Sequence, residues 1–235
     1  MGKREEIREK RQREKRRNLL VAALVIAGIV IITTAMVIYR SQAQIKSIIT
    51  PTFVDFPQSE GMAMGDPDAP VIIEEFSDFQ CPACQFFHEQ TFEQVVDQYI
   101  RTGDVYFIFR NFPFIDTYAV KKESQAAALG SYCAAEQGLF WEYAKIMFTN
   151  QIGENVGSFS SARMEAMAEI IGLDAEFMNC VIEGLYQDLV DADTEAAMEA
   201  GVDSTPSFLI NGQLVSGAIP VETFRSYIEQ ALEGN

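Results

Sequence analysis

The sequence predicts an α/β domain that is interrupted by a helical insertion and preceded by a single N-terminal transmembrane helix. Residues 19–39 form an apolar run without a formal charge. Short β-rich runs lie on both sides of a long alanine-rich segment with helical periodicity. Because neither β-rich flank has enough elements to form its own core, we predict one domain at residues 61–235 with an insertion at about 116–201.

The composition limits the classes of function. The chain of 235 residues is 48% hydrophobic and 22% charged, which is typical of a globular protein and excludes disorder throughout. Thirty-four acidic residues against eighteen Lys and Arg give a net charge of -16. Since such a surface repels phosphate backbones, we expect no nucleic-acid partner.

The N-terminal region has the charge pattern of a membrane anchor. Residues 1–17 hold nine basic and four acidic residues, whereas the rest of the chain holds nine basic and thirty acidic ones. At about 1.5 Å per residue, the apolar run spans roughly 30 Å of hydrocarbon. We therefore predict a basic cytoplasmic tail at 1–17 and a transmembrane helix at 18–40, with the following residues outside the cell membrane.

A cleaved signal peptide is the alternative to an uncleaved anchor, because Ser41 and Ala43 are small residues at positions that a signal peptidase would inspect. The length of the apolar run favours the uncleaved anchor. Residues 41–60 are polar and mixed, and we interpret them as a linker that holds the domain away from the membrane.

The domain itself begins with a strand–helix–strand pattern. The predicted elements are a strand at 71–76, a helix at 82–101 that ends before Gly103, and a second strand at 104–112. Two such strands in one sheet imply a right-handed crossover. The insertion should contain several packed helices, with Phe140, Trp141 and Tyr143 in their core. Two further strands should meet in a hairpin turn at Asn211-Gly212, before a helix at 221–232.

The motif Cys81-Pro82-Ala83-Cys84 follows the first strand and opens a helix. Backbone N–H groups and the helix dipole at that position favour a thiolate, so we predict Cys81 as the nucleophile. Cys84, one turn further, would resolve a mixed disulfide. A zinc site is the alternative, but the motif supplies two ligands of the four that zinc requires, and we expect no bound metal.

Three further sets of residues are candidates for the site. Glu74 and Glu75 lie in an apolar strand, where alternation directs one of them inward, and Glu75 is our candidate proton acceptor near Cys84. We interpret His88, the only histidine, as a helix residue flanking the site. At Thr205-Pro206 we hypothesise a cis peptide that leaves Thr205 backbone groups free to pair with an extended substrate.

The remaining cysteines, Cys133 and Cys180, both lie in the predicted insertion. A structural disulfide between two helices is our first interpretation, and two buried free thiols are the alternative.

The stretches EFSDFQCPACQFFHE, AAEQGLFWEY and STPSFLINGQLVSG resemble the DsbA-type branch of the thioredoxin superfamily. The resemblance covers roughly residues 61–235 and implies a thioredoxin fold with an inserted helical domain. It also implies that Cys81 attacks, Cys84 resolves, Glu75 is the buried acid and Pro206 is cis. We expect no cofactor. Ala83 departs from the histidine found in strongly oxidising members, which predicts a milder oxidant.

The function that follows is an oxidase that inserts disulfides into translocated proteins. Its client-binding residues would be Thr205, Pro82 and Ala83, and a quinone-linked membrane partner would accept its electrons. A reductase or isomerase kept reduced by a membrane donor is a second hypothesis. A tethered chaperone or a metal-delivery module is a third.

Overall fold

The computed structural model describes residues 2–118, 120 and 122–234. The chain divides into two compact units, Met1–Ser47 and Ile48–Asn235. The first unit contains helix α1 (Lys3–Lys46), and its stretch Arg11–Tyr39 is long and apolar enough to cross a membrane. Since the most apolar window of that stretch has no residue buried by the described part of the chain, it is suited to insertion in a bilayer. The helix extends beyond the predicted span at both ends, into the predicted tail and linker.

The second unit is built on a sheet whose described strands follow the order β1-β3-β2-β4-β5. These strands are β1 (Ala63–Met64), β2 (Val71–Ser77), β3 (Val105–Asn111), β4 (Ser207–Ile210) and β5 (Gln213–Ser216). The β2 and β3 strands are parallel, as the crossover pattern predicts, and the other neighbours are antiparallel. Asn211 and Gly212 join β4 to β5 with φ of 45° and 81°, which confirms the predicted hairpin turn.

Helices cover the sheet and fill the interval between β3 and β4. They are α2 (Pro82–Gln90), α3 (Phe92–Val95), α4 (Glu123–Glu136), α5 (Phe140–Thr149), α6 (Ser161–Ile171), α7 (Phe177–Glu183), α8 (Gln187–Glu199) and α9 (Val221–Glu233). A π-helical turn at Val96–Ile100 follows α3, and a 3₁₀ turn at Phe114–Tyr118 follows β3. The single helix predicted at 82–101 is therefore divided, first at Thr91, a β-branched residue of low helix propensity.

The alternation of β2 determines which of its side chains reach the main core. Val71, Ile73 and Glu75 are fully buried on one face, where apolar side chains of the sheet and the helices meet. Glu74 lies on the opposite face, half-buried, and forms a 2.9 Å ion pair with Arg110. The strand thus carries one carboxylate into the interior beneath α2.

The structure differs from the linker predicted at 41–60, because α1 continues to Lys46 and the second unit begins at Ile48. From Ile48 onward the chain belongs to the second unit, because apolar side chains there pack against the core. Asn150 binds this segment, accepting from the Ile49 N–H at 2.7 Å and donating to the Ile49 carbonyl at 2.8 Å. The ring of Phe56 lies 6.1 Å from that of Trp141. The free spacer predicted at 41–60 therefore does not extend beyond Ser47.

Candidate active site

Cys81 is the N-cap residue of α2, with extended backbone angles, and Pro82 occupies the first helical position. Proline is suited to this position because its missing N–H would have no partner inside the helix. The Cys81 N–H donates to the Asp78 carbonyl at 3.0 Å, and the Cys81 carbonyl accepts from Gln85 at 3.0 Å. The loop between β2 and α2 therefore fixes the first sulfur at the positive end of a helix.

The environment of Cys81 favours its thiolate. A hydrogen bond from the Cys84 thiol is the main reason that the pKa of Cys81 is lowered to about 6. The Thr205 side chain and the backbone N–H groups of Cys84 and Ala83 also lower this pKa, while burial opposes them. In its protonated form the Cys81 thiol donates to the Thr205 carbonyl at 3.3 Å. Cys81 is 8% exposed and Cys84 is fully buried.

Cys84 has the opposite tendency. Burial raises the pKa of the Cys84 thiol well above its ordinary value, and the charges of Cys81 and Glu75 raise it further. In the reduced pair, the buried sulfur therefore keeps its proton and the more accessible sulfur carries the charge. Such an asymmetry is suited to an outer sulfur that forms mixed disulfides and an inner sulfur that closes the internal disulfide.

Glu75 and His88 form a buried pair in the core beneath the motif. The His88 Nε2 lies 3.1 Å and 3.0 Å from the two Glu75 carboxylate oxygens. The His88 ring is 5% exposed and stacks on Phe148 with ring centroids 4.2 Å apart. Because His88 follows Cys84 by four residues, both side chains lie on the inner face of α2. His88 thus provides a hydrogen-bond partner for a carboxylate that is buried in the core.

The interpretation of His88 as a residue merely flanking the site was incomplete, because His88 binds the carboxylate that we predict as proton acceptor. Its spacing from Cys84 was a usable signal, since residues four apart share a helix face. The sequence reasoning also missed the buried residues Asp78 and Gln80, which precede Cys81. Polar residues directly before the motif were the available signal.

The Thr205–Pro206 peptide is cis, and it precedes β4 on the side of the sheet next to β2. Thr205 and Pro206 are buried, whereas Pro82 is exposed and Ala83 is half-buried. The structure thus brings Cys81 to the backbone of Thr205, and Pro82 and Ala83 follow Cys81 at the start of α2. A client segment that approached Cys81 would meet these residues.

Cys133 and Cys180 are bonded to each other rather than placed at this site. Their disulfide joins α4 to α7, with Cα atoms 6.1 Å apart. The two helices belong to the block between β3 and β4, so the bond links two parts of that block.

Comparisons with known proteins place this geometry in a family. The family model described as Thioredoxin matches residues 58–230. The chain is 25% identical over 185 residues to Disulfide bond formation protein D of Bacillus subtilis, covering 73% of this chain and 77% of that protein. It is 28% identical to Na(+)/H(+) antiporter NhaA 3 of Salinispora tropica over 71% of this chain, but only 24% of the antiporter.

A solved structure has the same fold. The crystal structure of Wolbachia pipientis alpha-DsbA1 superposes with a TM-score of 0.64 at 24% identity, covering 76% of this chain and 94% of that one. The expected fold, with helices inserted between its strands and an apolar helix before it, is confirmed. The chain therefore belongs to the thioredoxin family, as a DsbA-type thiol-disulfide oxidoreductase.

Proposed function

We propose that this chain is an extracytoplasmic oxidase that inserts disulfides into translocated proteins through a Cys81-Cys84 disulfide. The observation that carries the proposal is the asymmetry of the two sulfurs. Cys81 is 8% exposed at a helix N-terminus and has a pKa lowered to about 6, whereas Cys84 is fully buried and its pKa is raised. Such a pair is suited to disulfide transfer through the outer sulfur.

The proposed reaction has two exchanges. A client thiolate attacks the Cys81 sulfur of the oxidised protein, the internal disulfide breaks, and Cys84 leaves as a thiolate that takes up a proton. A second client thiolate then attacks the client sulfur of the mixed disulfide and expels the Cys81 thiolate. The client loses two electrons and the motif gains them. We assign the proton transfer at Cys84 to Glu75, and the alignment of the extended client to Thr205 and Pro206, next to Pro82 and Ala83.

The acidity of Cys81 supports the oxidising direction. A stabilised thiolate lowers the free energy of the reduced motif, which makes the disulfide a better oxidant. At pH 7 the ratio of thiolate to thiol is roughly ten for a pKa of about 6. This ionisation stabilises the reduced state by about 1.4 kcal/mol. This pKa lies between about 3.5 for DsbA and about 7 for thioredoxin, so we expect an oxidant of intermediate strength.

We further propose that α1 anchors the protein in the cell membrane, with its N-terminus in the cytoplasm. The basic residues at 1–17 support this orientation. After each transfer the motif holds two electrons, and we propose that a quinone-linked membrane protein removes them and restores the disulfide. An acceptor in the same membrane would meet an anchored donor at high effective concentration.

The experiment that tests the proposal mixes the oxidised full-length protein, in detergent, with reduced and unfolded ribonuclease A. We expect disulfides to appear in the ribonuclease, and we expect Cys81→Ala to abolish the transfer. Cys84→Ala is instead mixed in its reduced form with disulfide-bonded ribonuclease A. It should accumulate an adduct joined through Cys81, because the Cys81 thiolate displaces one sulfur of a ribonuclease disulfide and the motif sulfur that would release the adduct is absent. Transfer by Cys81→Ala at the parent rate would overturn the assignment.

The same protein distinguishes the alternatives. Rapid acid quenching of cells followed by thiol labelling reports the redox state of the motif. A mainly oxidised motif supports the oxidase, whereas a mainly reduced one indicates the reductase or isomerase. Metal bound at one equivalent by the purified protein, and lost in Cys81→Ala, would indicate metal delivery instead.

A further inference from the structure

A buried carboxylate that the proposed mechanism does not use lies three residues before Cys81. Asp78 is 2% exposed. Its Oδ1 accepts from the Gln80 N–H at 2.8 Å and from the Ser124 hydroxyl at 2.7 Å, and its Oδ2 accepts from the Ile115 N–H at 2.9 Å. The carboxylate thus holds the loop before the motif against both the 3₁₀ turn and the start of α4.

Asp78 also fixes the backbone of the motif. Its carbonyl accepts the Cys81 N–H at 3.0 Å, and its backbone N–H lowers the pKa of Cys84. The side chain of Gln80 extends the same network, donating to Ser124 at 2.8 Å and accepting from the Asn155 N–H at 2.6 Å. Asp78 therefore contacts the two segments that hold the motif and lies close to both sulfurs.

Several titratable and charged side chains surround Asp78, and Cys81 is the one that changes charge with the redox state of the motif. The titratable and charged residues on the surrounding elements are Cys81 in the same loop, Glu75 on β2, Cys84 and His88 on α2, Asp116 on the 3₁₀ turn, and Lys122 and Glu123 at the start of α4. Lys122 donates to the Asp116 carbonyl, and Glu123 accepts from Gly157 and Phe159. The pKa of Asp78 is raised to about 7, chiefly by burial and in smaller part by the charge of Cys81, while the hydrogen bonds from Ile115, Ser124 and Gln80 oppose the rise.

We propose that Asp78 is a positioning residue that exchanges a proton in step with the redox state of the Cys81-Cys84 pair. When the motif is a disulfide, position 81 carries no charge, and the Asp78 carboxylate is stable. When the motif is reduced, the Cys81 thiolate repels that carboxylate, and Asp78 takes up a proton. Disulfide transfer near neutral pH then depends on a carboxyl group outside the motif. This inference rests on the proposed role of Cys81.

The protons and electrons of this step balance. A client dithiol supplies two electrons and two protons when it becomes a disulfide. The motif accepts both electrons, and Cys84 accepts one proton. The second proton, which would otherwise enter the solvent, is retained in part by Asp78. The reduction potential of the motif should therefore depend more steeply on pH near pH 7 than that of a motif without this carboxyl group.

The test follows thiolate absorbance at 240 nm during pH titration of the reduced full-length protein, with Cys81→Ala to assign the signal. In Asp78→Asn we expect the Cys81 midpoint to move to lower pH by about half a unit, or roughly threefold in the ratio of thiolate to thiol. The pH dependence of the reduction potential near pH 7 should also become shallower. Asp116→Asn is the matched control, because Asp116 is buried in the same network but is linked to Asp78 indirectly, through Gln80 and Ser124.

Should Asp78→Asn fail to fold, Ser124→Ala provides a second measurement. It keeps the carboxylate but removes one donor to its ionised form, so Asp78 should hold its proton more firmly and the Cys81 midpoint should again fall. An unchanged midpoint in both variants, or an equal shift in Asp116→Asn, would overturn the role of Asp78. Absence of a thiolate signal that depends on Cys81 would instead overturn the proposed function.

Discussion

The hydrogen bond from Cys84 to Cys81 can be tested by changing the second residue of the pair. This bond is the main reason for the lowered pKa of Cys81. Cys84→Ala removes the donor, whereas Cys84→Ser replaces it with a hydroxyl donor of similar position. We therefore expect the acidity of Cys81 to fall in the alanine variant and to be retained in the serine variant.

The size of the effect follows from the strength of a hydrogen bond to a charged group, which is about 1.5–3 kcal/mol. Because one pKa unit corresponds to about 1.4 kcal/mol, Cys84→Ala should raise the pKa of Cys81 from about 6 to roughly 7–8. At pH 6.5 the thiolate fraction, and with it the rate of alkylation by iodoacetamide, should fall by about three- to twenty-five-fold. Near pH 9.5 the rates should converge, since Cys81 is then ionised in both proteins.

The assay is alkylation between pH 4 and pH 10, followed by mass spectrometry of the peptide that contains Cys81. The disulfide between Cys133 and Cys180 keeps those sulfurs out of the reaction. A Cys84→Ala protein that reacts with the wild-type pH midpoint would refute the reasoning, as would a serine variant that behaves like the alanine variant. In the first case the helix terminus and Thr205 would be sufficient to explain the acidity of Cys81.

Three other predictions address the proton acceptor, the second disulfide and the topology. Glu75→Gln should slow the resolution of mixed disulfides by roughly a hundredfold in stopped-flow experiments, because a general acid or base is lost near Cys84; an unchanged rate would exclude that role. Cys133→Ala with Cys180→Ala should lower the free energy of unfolding by about 4 kcal/mol for a separation of 47 residues. Urea denaturation measures this loss, and an unchanged midpoint would contradict it. Alkaline phosphatase fused to the C-terminus should be active and the same enzyme fused to the N-terminus inactive; the reverse pattern would invert the proposed orientation.

Local patterns predicted the parts of the fold that depend on neighbours in sequence. The apolar run at 19–39, the turn at Asn211-Gly212 and the alternation that places Glu75 inside β2 each follow from a rule that spans a few residues. The position of Cys81 is a local feature too. A strand followed by a helix with proline at its first position places the first sulfur at the helix N-terminus. These features could be predicted because each depends on residues that are close together in the sequence.

The interactions that the sequence did not reveal are non-local. Gln80 is completely buried, yet its partners Ser124 and Asn155 come from the block inserted after β3. No spacing rule connects these positions, since their proximity depends on how α4 and the loop after α5 pack against the motif. The extent of the linker was misjudged for a similar reason. Its apolar residues are too sparse to show a period, and their contacts with the core appear only in the folded chain.

Because Cys84 is buried, we expect His88 to affect the exchange step at Cys84 and not the ionisation of Cys81. A thiolate that leaves into a buried site must acquire a proton, and a buried thiol that attacks must lose one. We propose that Glu75, which His88 contacts, serves both directions, whereas Cys81 is ionised by its own hydrogen bonds. His88→Phe keeps an aromatic ring against Phe148 and removes the nitrogen that binds Glu75. We expect this variant to slow resolution of the mixed disulfide while the alkylation profile of Cys81 stays the same. A parallel change in both rates would show instead that His88 acts by supporting the position of α2.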